Sequence, residues 1–163
     1  MKLSNTRTNR VGIALLLTLA AAIGCARAEP PHKGPYDESA DATADIATAL
    51  ATAGTEGKRV LIVFGANWCP DCRALGVSMT DPDVHALVDK EFVVTHVDIG
   101  RWDRNMDLVQ QWIGRKKPGI PSVAVANPDG TAVYATRKGE AARARKMDKA
   151  QFLEFFRLLA ELP

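Results

Sequence analysis

Trp68-Cys69-Pro70-Asp71-Cys72 places two thiols on either side of a two-residue spacer. On the first turn of a helix, residues three apart share a face, so Cys72 could reach the sulfur of Cys69. Unpaired N–H groups and the helix dipole at that end favour a negative sulfur, and the thiolate is the species that attacks disulfides. The chemistry this spacing allows is exchange. Cys69 attacks a disulfide to give a mixed disulfide, and Cys72 then resolves it and closes the small ring. A zinc site would need four ligands. His32, His85 and His96 are scattered with no paired spacing, so no metal is expected. A structural staple is also a poor fit, because so short a loop yields little chain-entropy stabilisation.

These thiols need a scaffold on each side. Residues 59–64, Arg-Val-Leu-Ile-Val-Phe, form an unbroken apolar run suited to a strand buried on both faces. Gly65-Ala66-Asn67 breaks it, and a helix is expected over 69–79. Thr80 or Asp81 would cap a second short helix with Pro82 in its first turn. Residues 92–97 read as another interior strand, and 105–112 as a helix stopped by Gly114. Residues 121–126 and 131–136 flank Asn127-Pro128-Asp129-Gly130, a turn sequence that predicts an antiparallel hairpin. Before the motif, Ile46, Leu50 and Ala53 fall at helical spacing within 39–53, with Gly54 and Gly57 ending that helix. A final helix over 148–162 carries Phe152, Phe155, Phe156, Leu159 and Leu162 on its apolar face. Strands and helices in alternation, followed by a hairpin, imply an α/β domain with a mixed sheet covered on both faces.

The chain has 163 residues, 47% hydrophobic and 25% charged, enough for one ordinary domain plus an export segment. Residues 1–28 begin with Lys2, Arg7 and Arg10, continue with an apolar run over 11–23 and contain no acidic residue. That run is too short for a membrane span, which needs about 20 apolar residues. The pattern predicts a secretory signal. Cleavage after Ala26-Arg27-Ala28 and lipidation of Cys25 within Ala22-Ile23-Gly24-Cys25 both fit the sequence, and both lead out of the cytoplasm. Lipid on Cys25 would tether the protein to a membrane. Residues 29–38, Pro-rich and without apolar period, read as a linker, and 39–163 as the domain. The chain carries a net charge of +2, with 21 basic and 19 acidic residues. Loss of 1–28 removes four basic residues and leaves 17 against 19, a net −2. Nucleic-acid binding is therefore not expected. Without Cys25, the domain's cysteines are the one pair.

Phe64-Gly65-Ala66-Asn67-Trp68-Cys69-Pro70-Asp71-Cys72 resembles the active-site strand and loop of the thioredoxin family. Gly119-Ile120-Pro121-Ser122 resembles that family's cis-proline loop, about fifty residues on and just before a strand. Asp81-Pro82-Asp83-Val84 resembles the C-terminal domain of the periplasmic thiol:disulfide interchange reductase. The likeness covers roughly 40–162 and implies a thioredoxin-like fold. It also implies thiol–disulfide exchange in the periplasm with protein or peptide disulfides as substrates. The redox-active disulfide takes the place of a cofactor, and electrons come from an unidentified donor. By this resemblance Cys69 is the exposed nucleophile and Cys72 the shielded resolving thiol. Trp68 covers the disulfide, Pro70 and Asp71 fill the active-site turn, and cis Pro121 faces the sulfurs. The Ile120 backbone would then pair with an extended substrate.

Two departures stand out. The family often has a buried Asp six residues before its first Cys, where this chain has Val63, and a partner Lys that aligns with Val94. His96, two residues further along that strand face, is the available replacement for proton transfer. Asp71 bears on direction. A carboxylate about 6 Å from the Cys69 sulfur, at an effective dielectric near 40, repels a thiolate by about 1.4 kcal/mol, equivalent to about 30 mV favouring the disulfide. That points to a reductase, in agreement with a small eukaryotic thioredoxin-related reductase that shares the Pro-Asp pair. Two other functions compete. One is oxidation or isomerisation of folding proteins, and the other is a metal-handling module built on the Cys pair. Arg115-Lys116-Lys117 precedes the proline loop and reads as a solvated loop at the rim of the site.

Overall fold

In the computed structural model, which describes residues 34–163, the apolar run becomes strand β1 (Arg59–Gly65), with Val60 through Gly65 all buried. Burial at consecutive positions requires cover on both faces of the sheet. β1 is one of two inner strands of a four-stranded sheet in the order β2-β1-β3-β4, with β2 at Phe92–Asp98, β3 at Ser122–Ala126 and β4 at Ala132–Ala135. It pairs parallel with β2, Arg59 opposite Phe92 and Gly65 opposite Asp98. It pairs antiparallel with β3, and β3 pairs antiparallel with β4. The sheet is therefore mixed. The β3–β4 hairpin turns on Asn127-Pro128-Asp129-Gly130, where Gly130 takes φ +85° and the Asp129 carboxylate accepts from the Thr131 N–H at 2.8 Å.

Among the described residues, five α-helices flank the sheet. α1 (Ala42–Glu56) is capped by Asp41, which accepts from the N–H groups of Thr43 and Ala44, and it packs on β1 and β2. Its end differs from the expectation. Gly54 lies inside the helix, and Gly57 alone supplies the left-handed cap, with φ +66°. α2 (Pro70–Ser78) leads into α3 (Pro82–Glu91), capped by Asp81 rather than Thr80. α4 (Met106–Ile113) packs on β3 and β4, and α5 (Lys149–Ala160) packs on α3. In α5 the apolar face buries Phe152, Phe156 and Leu159, while Leu158 is exposed. A short 3-10 turn (Ala144–Lys146), not foreseen in the sequence, sits against α2.

The stretch read as linker does not stay free of the domain. Tyr36 is fully buried, and Asn67 clasps its backbone, accepting from Tyr36 N–H at 3.1 Å and donating to Tyr36 C=O at 2.8 Å. Pro35 rests on α2 so closely that a side chain at Gly76 would meet its ring at 2.9 Å. An isolated aromatic among prolines has no period to reveal that it is core. The signal segment of 1–28, the lipidation site Cys25 and His32 lie outside the described residues. Among the described residues, no helix is long and apolar enough to cross a membrane.

Candidate active site

The first turn of α2 is built around Cys69, which serves as the N-cap itself. Its backbone is extended, and its sulfur accepts from the Cys72 N–H at 3.3 Å. Pro70 opens the helix at the position where a missing N–H costs nothing. Both cysteines are free thiols. Both are buried, Cys72 completely and Cys69 with 4% of its surface accessible, so the nucleophile expected to be exposed is nearly covered by the Ile120 loop. Burial pushes the Cys72 thiol well above its ordinary range, and the hydrogen bond with Cys69 adds to this. An uncharged thiol thus waits behind a sulfur placed at a helix N-terminus.

The proline loop closes the other side. The Ile120–Pro121 peptide is cis. The thiol of Cys69 donates to the carbonyl of Ile120 at 3.7 Å, across 51 residues of sequence. The Ser122 hydroxyl donates to Gly119 C=O at 2.6 Å and ties the loop to the start of β3. Trp68 is 39% exposed beside the pair, and its indole N–H donates to Gly100 C=O at 2.8 Å. Trp102 packs against it with centroids 5.2 Å apart, and the Arg101 guanidinium lies 5.7 Å from the Trp68 ring. Trp102 holds an unusual positive φ of 62°. Nothing in the order of residues marked it, although Gly100 before two bulky residues signals a tight loop after β2.

Asp71 is buried and turned to the 3-10 turn. It accepts from the Arg145 N–H at 3.0 Å, and the Arg145 guanidinium lies 3.8 Å from its other oxygen. Arg145 therefore offsets part of the repulsion expected on Cys69. Arg115, Lys116 and Lys117 are exposed, with Arg115 bracing the Arg137 carbonyl.

Behind the cysteines, Val63 pairs with His96 across β1 and β2. Burial holds the His96 imidazole low, to about 4, and its Nε2 has no hydrogen-bond partner. Its ring meets the edge of Tyr36 at 5.3 Å. His96 thus touches Tyr36, and the polar atom beside Cys72 is the Tyr36 hydroxyl. Asp98 is also buried in this region. Burial raises its carboxyl, although it accepts from Gly100 N–H at 3.0 Å and faces Arg104 at 3.5 Å. Among the described residues, no group of three or more His, Cys, Asp or Glu side chains could hold a metal.

The comparisons with known proteins agree with this geometry. Residues 41–128 match the family model described as thioredoxin-like. A thiol:disulfide interchange protein TxlA homolog of Synechocystis is 27% identical over 120 residues, 74% of this chain. The chain spans 63% of that relative's length. A disulphide isomerase structure from Xylella fastidiosa Temecula1 is 44% identical, with a TM-score of 0.76, covering 78% of this chain and 98% of that one. The reduced C-terminal domain of DsbD from Neisseria meningitidis is 25% identical with a TM-score of 0.52, covering 71% and 95%. A family match over more than half the chain, on a scaffold that brings Cys69, Cys72 and a cis proline together, identifies this protein as a member of the thioredoxin-like family.

Proposed function

We propose that this protein is a thiol–disulfide oxidoreductase that reduces protein disulfides outside the cytoplasm through Cys69 and Cys72. The observation that carries the reading is the asymmetry of the pair. Cys69 sits at the rim as the N-cap of α2 and against the Ile120 carbonyl, while Cys72 is sealed beneath it. An extended substrate strand would lie along the Ile120 backbone under the cover of Trp68. Its disulfide would meet Cys69 first, and Cys72 would then displace the substrate. The Asp71 carboxylate, buried beside the pair and partly offset by Arg145, supports the reductive direction. The electrons would come from a separate donor, and the basic, apolar start of the chain, with Cys25 as lipid site or discarded residue, supports a periplasmic location.

The 44% identity to a protein called a disulphide isomerase favours a second reading, reshuffling of disulfides in folding proteins. Cys69→Ser should abolish reduction of insulin disulfides under either reading. Cys72→Ala should leave attack intact and accumulate mixed disulfides, visible as mass adducts. Full activity in the first variant, or no adduct with the second, contradicts the assigned roles. Recovery of activity from a scrambled disulfide substrate, without net thiol consumption, would select the isomerase reading.

A further inference from the structure

Resolution of a mixed disulfide requires Cys72 to attack as a thiolate. Yet Cys72 is fully buried, and burial pushes its thiol upward. A thiolate formed there needs hydrogen-bond donors: the Ala66 backbone supplies one, and Val63, on β1, offers none. The side chain that reaches Cys72 is Tyr36, from the stretch ahead of the first helix.

Three observations place it there. Asn67, two residues before Cys69, fixes the Tyr36 backbone with a pair of hydrogen bonds at 3.1 and 2.8 Å. The ring is completely buried and stands edge-on to His96 at 90°. The hydroxyl is buried with the Cys72 sulfur as its side-chain hydrogen-bonding neighbour, a pairing expected of a buried hydroxyl. It converges with the Cys72 sulfur on the space that Gly65 leaves open. A Cβ at position 65 would sit 2.7 Å from Cys72 Sγ and would collide with Tyr36 Oη as well. Glycine there keeps both groups in place. Cys72, Cys69 and Asp98 are the ionisable groups facing the phenol, and with burial they hold its proton on. Tyr36 is thus suited to be a donor and not a base.

Resting on the oxidoreductase reading above, we propose that Tyr36 donates its hydroxyl hydrogen bond to the Cys72 sulfur as that sulfur becomes a thiolate during resolution. The Cys72 sulfur bonds to the Cys69 sulfur, the bond from Cys69 to the substrate sulfur breaks, and the substrate sulfur leaves with the electron pair. The proton given up by Cys72 ends on the departing thiolate. The phenol proton is shared with Cys72 and stays on Tyr36.

Stopped-flow reaction of the reduced protein with 5,5′-dithiobis(2-nitrobenzoate) separates the two steps. Attack by Cys69 releases the first thionitrobenzoate, and resolution by Cys72 releases the second. In Tyr36→Phe, the first phase should keep its rate and the second should slow about tenfold, the usual scale for a lost hydrogen bond to a charged group. An unchanged second phase overturns the proposal. A second measurement guards against a packing effect. Replacing Tyr36 by 3-fluorotyrosine in a Tyr134→Phe background makes the phenol a stronger donor, and the second phase should quicken. No change there also overturns the proposal. If the unaltered protein releases thionitrobenzoate in neither phase, the oxidoreductase reading falls and this proposal falls with it.

Discussion

His96 faces Tyr36 with a ring nitrogen that is buried and unpartnered. Its ordinary value is 6.5, and burial lowers it to about 4 in the folded chain. Between those two values the unfolded chain binds a proton that the folded one refuses. Stability from this group is therefore complete above about pH 6.5 and is lost as pH falls toward 4, by about 3 kcal/mol at most. Asp98 acts in the opposite sense, because its raised carboxyl favours the folded state at low pH and loses that contribution as pH rises. His96→Leu separates the two. Urea unfolding between pH 7 and 4 should show a shallower acid loss in this variant, and an unchanged slope would contradict the burial account. At this scale the sequence was legible where chemistry has a spacing. The structure brings Cys69, Cys72 and the cis Ile120–Pro121 bond together. Tyr36, Asn67 and Trp102 were not legible, because their roles come from contacts 31 or more residues away, or from a backbone angle that side-chain order does not encode.

The elements were easier to read than their contacts. β1 was visible as an unbroken apolar run because both its faces are covered, and α5 because its apolar residues recur along one face. The 3-10 turn escaped because Ala-Arg-Lys has no period, and it matters because it turns Asp71 away into a hydrogen bond. α5 also begins on a reciprocal cap. Asp148 accepts from Gln151 N–H at 2.9 Å, and the Gln151 side chain accepts from Asp148 N–H at 2.9 Å. Asp148→Ala should cost about 1 kcal/mol of stability, measured by urea unfolding at neutral pH. Redox activity should be unaffected, since α5 packs chiefly on α3. A loss several times larger would mean that α5 depends on more than its own cap.

The described domain is organised around one end of β1. The strand delivers Gly65 to the loop, α2 starts at Cys69, and β3 starts just after Pro121, so three elements meet at two sulfurs. The residues from 34 to 38 close the back of that meeting point, which is why the domain begins earlier than its helical pattern suggests. The central claim is that this arrangement makes the Cys69–Cys72 pair a reductant. The most direct test is its reduction potential in the protein lacking residues 1–28, equilibrated in graded dithiothreitol or glutathione buffers and trapped by thiol alkylation. A value near −270 mV, about that of thioredoxin, is the predicted result. A value near −120 mV, about that of a strong oxidase, would contradict the reductive reading.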